Sequence, residues 1–268
     1  MGKAMQNFLT FDPVTALLDA GDRALTHFVR RDLLEEDAGP IQQVWELPEV
    51  IRVLGKQRDD GAWDYTGAIL SLVIKAGYEN DPRVERGMRW LLSMRQDDGG
   101  WTIPILCGGF DRETQNRLTT EYAEPIAPDR SKPFSHNWTG LVLRAFAAHP
   151  AYRASPEAHA AGVLLKSRFF KKDVYSSYQA ASYWVKFQFP YWWNHLLAAL
   201  DSLSWLGFAA DDPDIQRGLD WFRDNQERTG LWRLTYEQGR VLRDAPQTRT
   251  EARWVSLAIC RVLRRFLG

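Results

Sequence analysis

The 268-residue sequence predicts an all-α fold built as an array of helical hairpins. Three observations lead there. One block recurs along the chain, each recurrence carries helix start and stop signals, and a second, more uniformly apolar class of helix alternates with it. No segment reads as a convincing strand run.

The recurrence is clearest between "DPRVERGMRWLLSMRQDDGGW" (81–101) and "DPDIQRGLDWFRDNQERTGLW" (212–232), which align without a gap. Asp81 falls on Asp212, Pro82 on Pro213, Gly87 on Gly218, Trp90 on Trp221, Gly99 on Gly230 and Trp101 on Trp232. An earlier copy, "WELPEVIRVLGKQRDDGAW", ends at Trp63, and a worn one, "SPEAHAAGVLLKSRFFKKDVY" (155–175), has Tyr175 at the closing position. Each copy reads as one amphipathic helix. Asp81, Ser155 and Asp212 are suited to accept from the free N–H groups of the first turn. The proline after each fits the first helical position, where a missing N–H is harmless. Val84, Met88, Leu91 and Leu92 share one face, as do Ile215, Leu219 and Phe222. The glycine two residues before the closing Trp ends the helix.

The other elements follow in chain order. "PVTALLDAGDRALTHFVRRDLLEE" pairs with the helix ending near Gln57. "TGAILSLVIKAG" (66–77), "NWTGLVLRAFAAH" (137–149) and "WNHLLAALDSLSWLG" (193–207) are apolar on most sides, which predicts burial on more than one face. "EARWVSLAICRVLRRF" adds one more helix of this inner type. The connection at 102–136 shows no clear helix and exceeds ordinary loop lengths, so it reads as a lid, a binding element or an insertion on a rim. The whole chain, 1–268, is read as a single domain carrying that insertion.

The stretches "QRDDGAW" (57–63), "RQDDGGW" (95–101) and "QERTGLW" (226–232) resemble the Gln-Trp repeat of squalene and oxidosqualene cyclases and of protein prenyltransferase β subunits. The resemblance extends, with gaps, over most of the chain. It implies an α/α toroid, closed or incomplete: inner helices around a central cavity, outer helices around them, and the motifs tying outer helices together. "FQFPYWWNHLLAALDSLSWLGF" and "EARWVSLAICRVL" look more like uncharacterised bacterial members than like an established enzyme of the group. Arg95 stands where the motif wants Gln, with Gln96 one place late.

Composition narrows the function. At 45% hydrophobic residues the chain is expected to be globular. No apolar run reaches the roughly 18 residues of a membrane span, and the N-terminus lacks a signal-peptide core, so a cytoplasmic protein is expected. The 34 basic residues balance the 34 acidic ones, giving no pull towards nucleic acid. From Arg217 onward every basic residue is Arg, read as a solvated face with a phosphate-binding patch as the alternative. Cys107 and Cys260 make neither a disulfide framework nor a cysteine zinc motif, and no metal or cofactor is expected.

The family's known chemistries need motifs this chain lacks. The Asp-x-Asp-Asp acid of the cyclases is absent, and "DDPD" (211–214) reads as a helix cap. The Asp-Asp-x-x-Asp diphosphate motif is absent, and Ile105 stands where the Asp-x-Cys zinc pair of the prenyltransferases needs its acid. Asp59-Asp60 and Asp97-Asp98 recur at helix-ending turns, which suits a turn and not a catalytic acid. Asp201, the one acid inside a buried-type helix, and His195, which opens that helix, are the candidates for a proton donor.

The run "YWVKFQFPYWWNH" (183–195) places seven rings in its first eleven residues. Trp184, Phe189 and Trp193 are assigned to packing, while Tyr183, Phe187, Tyr191 and Trp192 are expected on a ligand-binding wall. His136 and Trp138 at the start of another inner helix, and Tyr122 in the long connection, complete the candidate ligand-binding set. The expected function is binding of a hydrophobic, isoprenoid-like molecule in an aromatic cavity. A divergent cyclase or lyase-type enzyme, with cation–π support for a carbocation, and a protein-interaction scaffold are the alternatives.

Overall fold

The computed structural model describes residues 3–40, 54–59, 61–63, 66–102, 111–118, 127, 129–173, 175, 179–189, 193–236 and 246–268. The described residues form helices and no strand. In chain order these are α1 (Lys3–Phe8), α2 (Val14–Leu18), α3 (Arg23–Val29, running on as a wider turn to Leu34), α4 (Thr66–Val73, likewise to Tyr78) and α5 (Pro82–Ser93). There follow α6 (Arg112–Leu118), α7 (His136–Ala148), α8 (Pro156–Lys166), α9 (Leu196–Trp205), α10 (Pro213–Asp224) and α11 (Pro246–Leu267). Two compact units are distinguishable: Met1–Glu46 with Trp184–Gly268, and Leu47–Tyr183.

The caps form as the sequence predicts. Asp81 accepts from the Arg83 amide (2.8 Å), Ser155 from Ala158 (3.2 Å) and Asp212 from Asp214 (3.0 Å), each ahead of a proline in the first turn. Each such cap is worth about 1 kcal/mol. The connection at 102–136 departs from expectation, because α6 stands inside it, opened by Asp111, whose carboxylate accepts from the Thr114 amide (2.7 Å). A run of charged and polar residues with no apolar periodicity hid that helix. The inner-type helix expected from Trp193 begins later, at Leu196, with His195 as its cap.

In the unit Leu47–Tyr183, α7 is buried on most sides, whereas α4 is buried along one face and leaves Leu72 62% exposed. They touch backbone to backbone at Gly67, where a Cβ would lie 2.8 Å from the Leu141 carbonyl oxygen, so no larger residue fits without moving α7. α5 covers α4 through Val84, Met88 and Leu91, and Gly87 leaves room for Trp63 and Leu70. α8 covers α7 through Ala158, Ala161 and Leu165.

In the other unit, α9 and α11 are the buried pair, with α10 covering α9. Gly218, the counterpart of Gly87, faces Leu196 and Leu200 of α9. α1, α2 and α3 pack on α11. Arg261 pairs with Asp32 and Arg264 with Glu35, fastening α11 to the turn that follows α3. Part of the Arg-rich tail is thus committed to ion pairs within the unit.

Candidate functional site

Three helix-ending turns share one bonding scheme. Gln57 Nε2 donates to the carbonyls of Gly61 (2.9 Å) and Arg83 (2.7 Å), the second at the start of α5. Gln226 Nε2 donates to the carbonyls of Gly230 (2.9 Å) and Phe11 (2.8 Å), while its Oε1 accepts from the amides of Thr10 (3.1 Å) and Phe11 (3.0 Å). At the third turn the two jobs are divided. Arg95 Nε donates to the Gly99 carbonyl (2.9 Å), and Gln96 Nε2 reaches the carbonyls of Asp129 (2.7 Å) and Lys132 (2.9 Å). The closing ring then points inward: Trp101 Nε1 donates to Leu91 (2.6 Å) and Trp232 Nε1 to Phe222 (2.7 Å).

A hydroxyl completes each turn. The backbone N–H of Trp63, Trp101 and Trp232 donates to Thr66 (3.0 Å), Thr139 (2.9 Å) and Ser256 (2.9 Å) respectively, one hydroxyl from each following buried-type helix. Buried amides left without an acceptor are costly, which explains a hydroxyl at those three apolar positions.

The start of α7 carries a buried polar cluster. Ser135 caps the helix, its amide donates to the Trp101 carbonyl (2.9 Å), and its hydroxyl donates to Asp173. Asp173 is 1% exposed, and its second oxygen lies 3.8 Å from His136 Nδ1. That is an electrostatic neighbour, beyond hydrogen-bond reach. Burial drives the His136 pKa down to about 4 against the opposing pull of Asp173, so the ring is neutral at pH 7. Asp173 is the one acidic side chain buried to this degree among the described residues, and nothing in "FFKKDVY" signals it. Trp138, on the first turn of α7, is half-buried and donates its amide to Ser135 Oγ (3.4 Å).

The start of α9 is built from rings. His195 is fully buried and caps the helix, its Nδ1 accepting from the Ala198 amide (3.2 Å). With Nδ1 an acceptor, a neutral ring carries its proton on Nε2. Phe187 meets His195 edge-on at 5.3 Å and Trp221 at 5.4 Å, and Trp193 meets Tyr236 at 4.7 Å. Phe187 is held by its backbone: its N–H donates to Thr235 Oγ1 (2.7 Å), and its carbonyl accepts from the amides of Thr235 and Tyr236 (both 3.1 Å).

Beside this cluster lies a cleft of about 760 Å³, between Phe187 and the turn that ends α10. Phe187, Trp221 and Trp232 form its apolar wall, and Asn225, Arg228, Arg233 and Thr235 stand among its polar lining. Phe187 and Trp232 are each 1% exposed and close the back, whereas Trp221 is half-buried.

A family model for the squalene-hopene cyclase C-terminal domain matches residues 58–264. The chain belongs to this family. A solved structure, a protein from Actinoplanes, is 16% identical over 99% of each chain, with a TM-score of 0.36. No curated protein matches.

Set against squalene-hopene cyclase chemistry, the expected site residues fall in different places. Asp201 pairs with Arg265, which also donates to Ser204 (2.7 Å) and lies 4.9 Å over the Trp205 ring. A third of the Asp201 side chain is exposed, so its surroundings are an ion pair at a surface. His195 is engaged as a cap. Of the aromatic set, Phe187 reaches the cleft, and Tyr183 is half-buried with its amide on the Ala180 carbonyl (3.0 Å). Tyr122, Tyr191, Trp192 and Cys107 lie outside the described residues. Phe189, assigned to packing, stacks on Trp254 (5.6 Å, 12° between planes) yet stays 36% exposed. Cys260 is fully buried, and burial raises its pKa, which keeps it a thiol. No described helix is long and apolar enough to cross a membrane.

Sequence reasoning missed Trp221 and the rim residues Arg228 and Thr235. One signal was available: the repeat places Trp90 and Trp221 off the buried stripe of their amphipathic helices, where a large ring needs some further partner.

Proposed function

We propose that this member of the squalene-hopene cyclase family binds a hydrophobic, isoprenoid-like molecule, and that its three helix-ending turns are the family's Gln-Trp motifs. The observation that carries the reading is a cleft of about 760 Å³ faced by the half-buried Trp221, with Phe187 and Trp232 packed behind it. That volume falls within the range of roughly 300–1,000 Å³ usual for small-molecule sites.

Binding without the cyclase reaction fits the chemistry present. The Asp-x-Asp-Asp acid is absent from the sequence, Asp201 is held by Arg265, and His195 is held by a helix terminus. The family match runs through both compact units, which supports one domain with a shared task.

Isothermal titration with farnesol and native mass spectrometry of the freshly purified protein test this. We expect one equivalent bound, weakened about tenfold in Trp221→Ala through loss of ring contact. Incubation with squalene and linear prenyl diphosphates is expected to return them unchanged. A protein that carries and binds no such molecule refutes the reading, and turnover abolished by Asp201→Asn or His195→Ala would replace it with the enzymatic one.

A further inference from the structure

From the rim of the same cleft, and resting on the reading just given, we infer that the bound molecule is an amphiphile with an anionic head, held by Arg228. Among the described residues, the ionic side chains lining the cleft are Arg228, Arg233 and Glu227. Arg233 is paired with Glu227, which cancels both charges locally. Arg228 is left as the cation of the rim, exposed at the turn beyond α10, with no ion pair to another described residue. The described part of the rim is therefore net positive by one charge.

An opposing field exists and is smaller. The α10 helix ends at the cleft, and a helix C-terminus carries roughly half a negative charge. Its last carbonyls are already covered: Asn225 Nδ2 donates to Trp221 (2.9 Å), Trp232 Nε1 to Phe222 (2.7 Å) and the Gln226 amide to Arg223 (3.4 Å). Asp220 and Asp224 are both paired with Arg223. A whole guanidinium charge outweighs this residue of the dipole. A guanidinium also offers a planar fork that matches carboxylate and phosphate oxygens alike.

The geometry divides the ligand in two. The apolar tail lies on Trp221 against Phe187 and Trp232, and the head reaches solvent beside Arg228 and Thr229. A neutral prenyl chain uses only the first half of this site.

Four probes with one tail separate the possibilities: farnesol, farnesoate, farnesyl monophosphate and farnesylamine, each titrated calorimetrically into the full chain at low and high salt. Farnesoate or farnesyl monophosphate is expected to bind about tenfold tighter than farnesol. Farnesylamine is expected to bind weaker, and the differences to shrink in salt. Which anion gains more identifies the head as carboxylate or phosphate. In Arg228→Gln the anions lose their gain and fall to the affinity of farnesol, which changes less than they do; circular dichroism of this exposed-site variant verifies its fold. Equal binding of farnesol and both anions, or an Arg228→Gln loss shared by farnesol, overturns the anionic head and leaves the hydrophobic-ligand reading standing. No binding by any probe overturns both.

Discussion

Gln226 ties the last repeat to the beginning of the chain, and its removal has a calculable cost. Its amide group makes four bonds, two donated to the carbonyls of Phe11 and Gly230 and two accepted from Thr10 and Phe11. In Gln226→Ala these four backbone groups lose their partner. The Thr10 amide is exposed and regains water, so its loss is nearly neutral. The other three bonds involve part-buried groups, each worth about 0.5–1.5 kcal/mol net. The sum is about 1.5–4.5 kcal/mol, well above the few tenths expected of a surface substitution. Two measurements check it. Urea unfolding should show the midpoint falling at constant slope. Native-state hydrogen exchange should show the Thr10 and Phe11 amides speeding up while those of α10 hold. A stability change under 0.5 kcal/mol together with unchanged exchange at Thr10 and Phe11 would refute the idea that this side chain joins the two ends.

Further outcomes follow from the same contacts. Gly230→Ala should cost at least about 2 kcal/mol in thermal or chemical unfolding, because φ is +81° and the new Cβ would stand 2.5 Å from the Asp12 carbonyl oxygen. Thr139→Val keeps the shape of α7 but strips the acceptor from the buried Trp101 amide, for about 1–3 kcal/mol, whereas Thr139→Ser should recover most of it. For His136 the folded pKa lies below the unfolded one, so its neutral ring contributes stability that is fully present above about pH 6.5 and lost as pH falls towards 4. A shift of this size is worth about 3 kcal/mol; unfolding midpoints measured across that window should flatten in His136→Gln, and an unaltered slope would assign the acid sensitivity elsewhere.

Most of the helical plan was legible because its signals are short-range. A cap, its proline and the glycine of the closing turn lie within one repeat, and a 3.6-residue period shows which face is apolar. The buried-type helices announced themselves by lacking a polar face. The α6 helix did not, since a short polar helix has no periodicity to read. Sequence also exposed the irregular third turn, and the structure shows how it is solved, with Arg95 taking the local bond and Gln96 the distant one.

The candidate site was harder to read, because its side chains meet only through the path of the whole chain. Phe187, expected on a ligand-binding wall, is a buried ring packed on His195, Trp221 and Phe222 beside the cleft. Its partner Thr235 lies 48 residues away, and no spacing rule links them. Asp201 read as a buried acid from its own helix, and Arg265, 64 residues on, sets its actual surroundings. Asp173 carried no sequence signal and became a buried acid through Ser135 and His136, 38 and 37 positions earlier. By itself, then, the sequence determined the helices, their caps and the repeat that joins them, since those energies act within a few residues. Tertiary structure alone decided which polar groups are buried together and which rings meet, because burial and the field of distant charges belong to the folded chain.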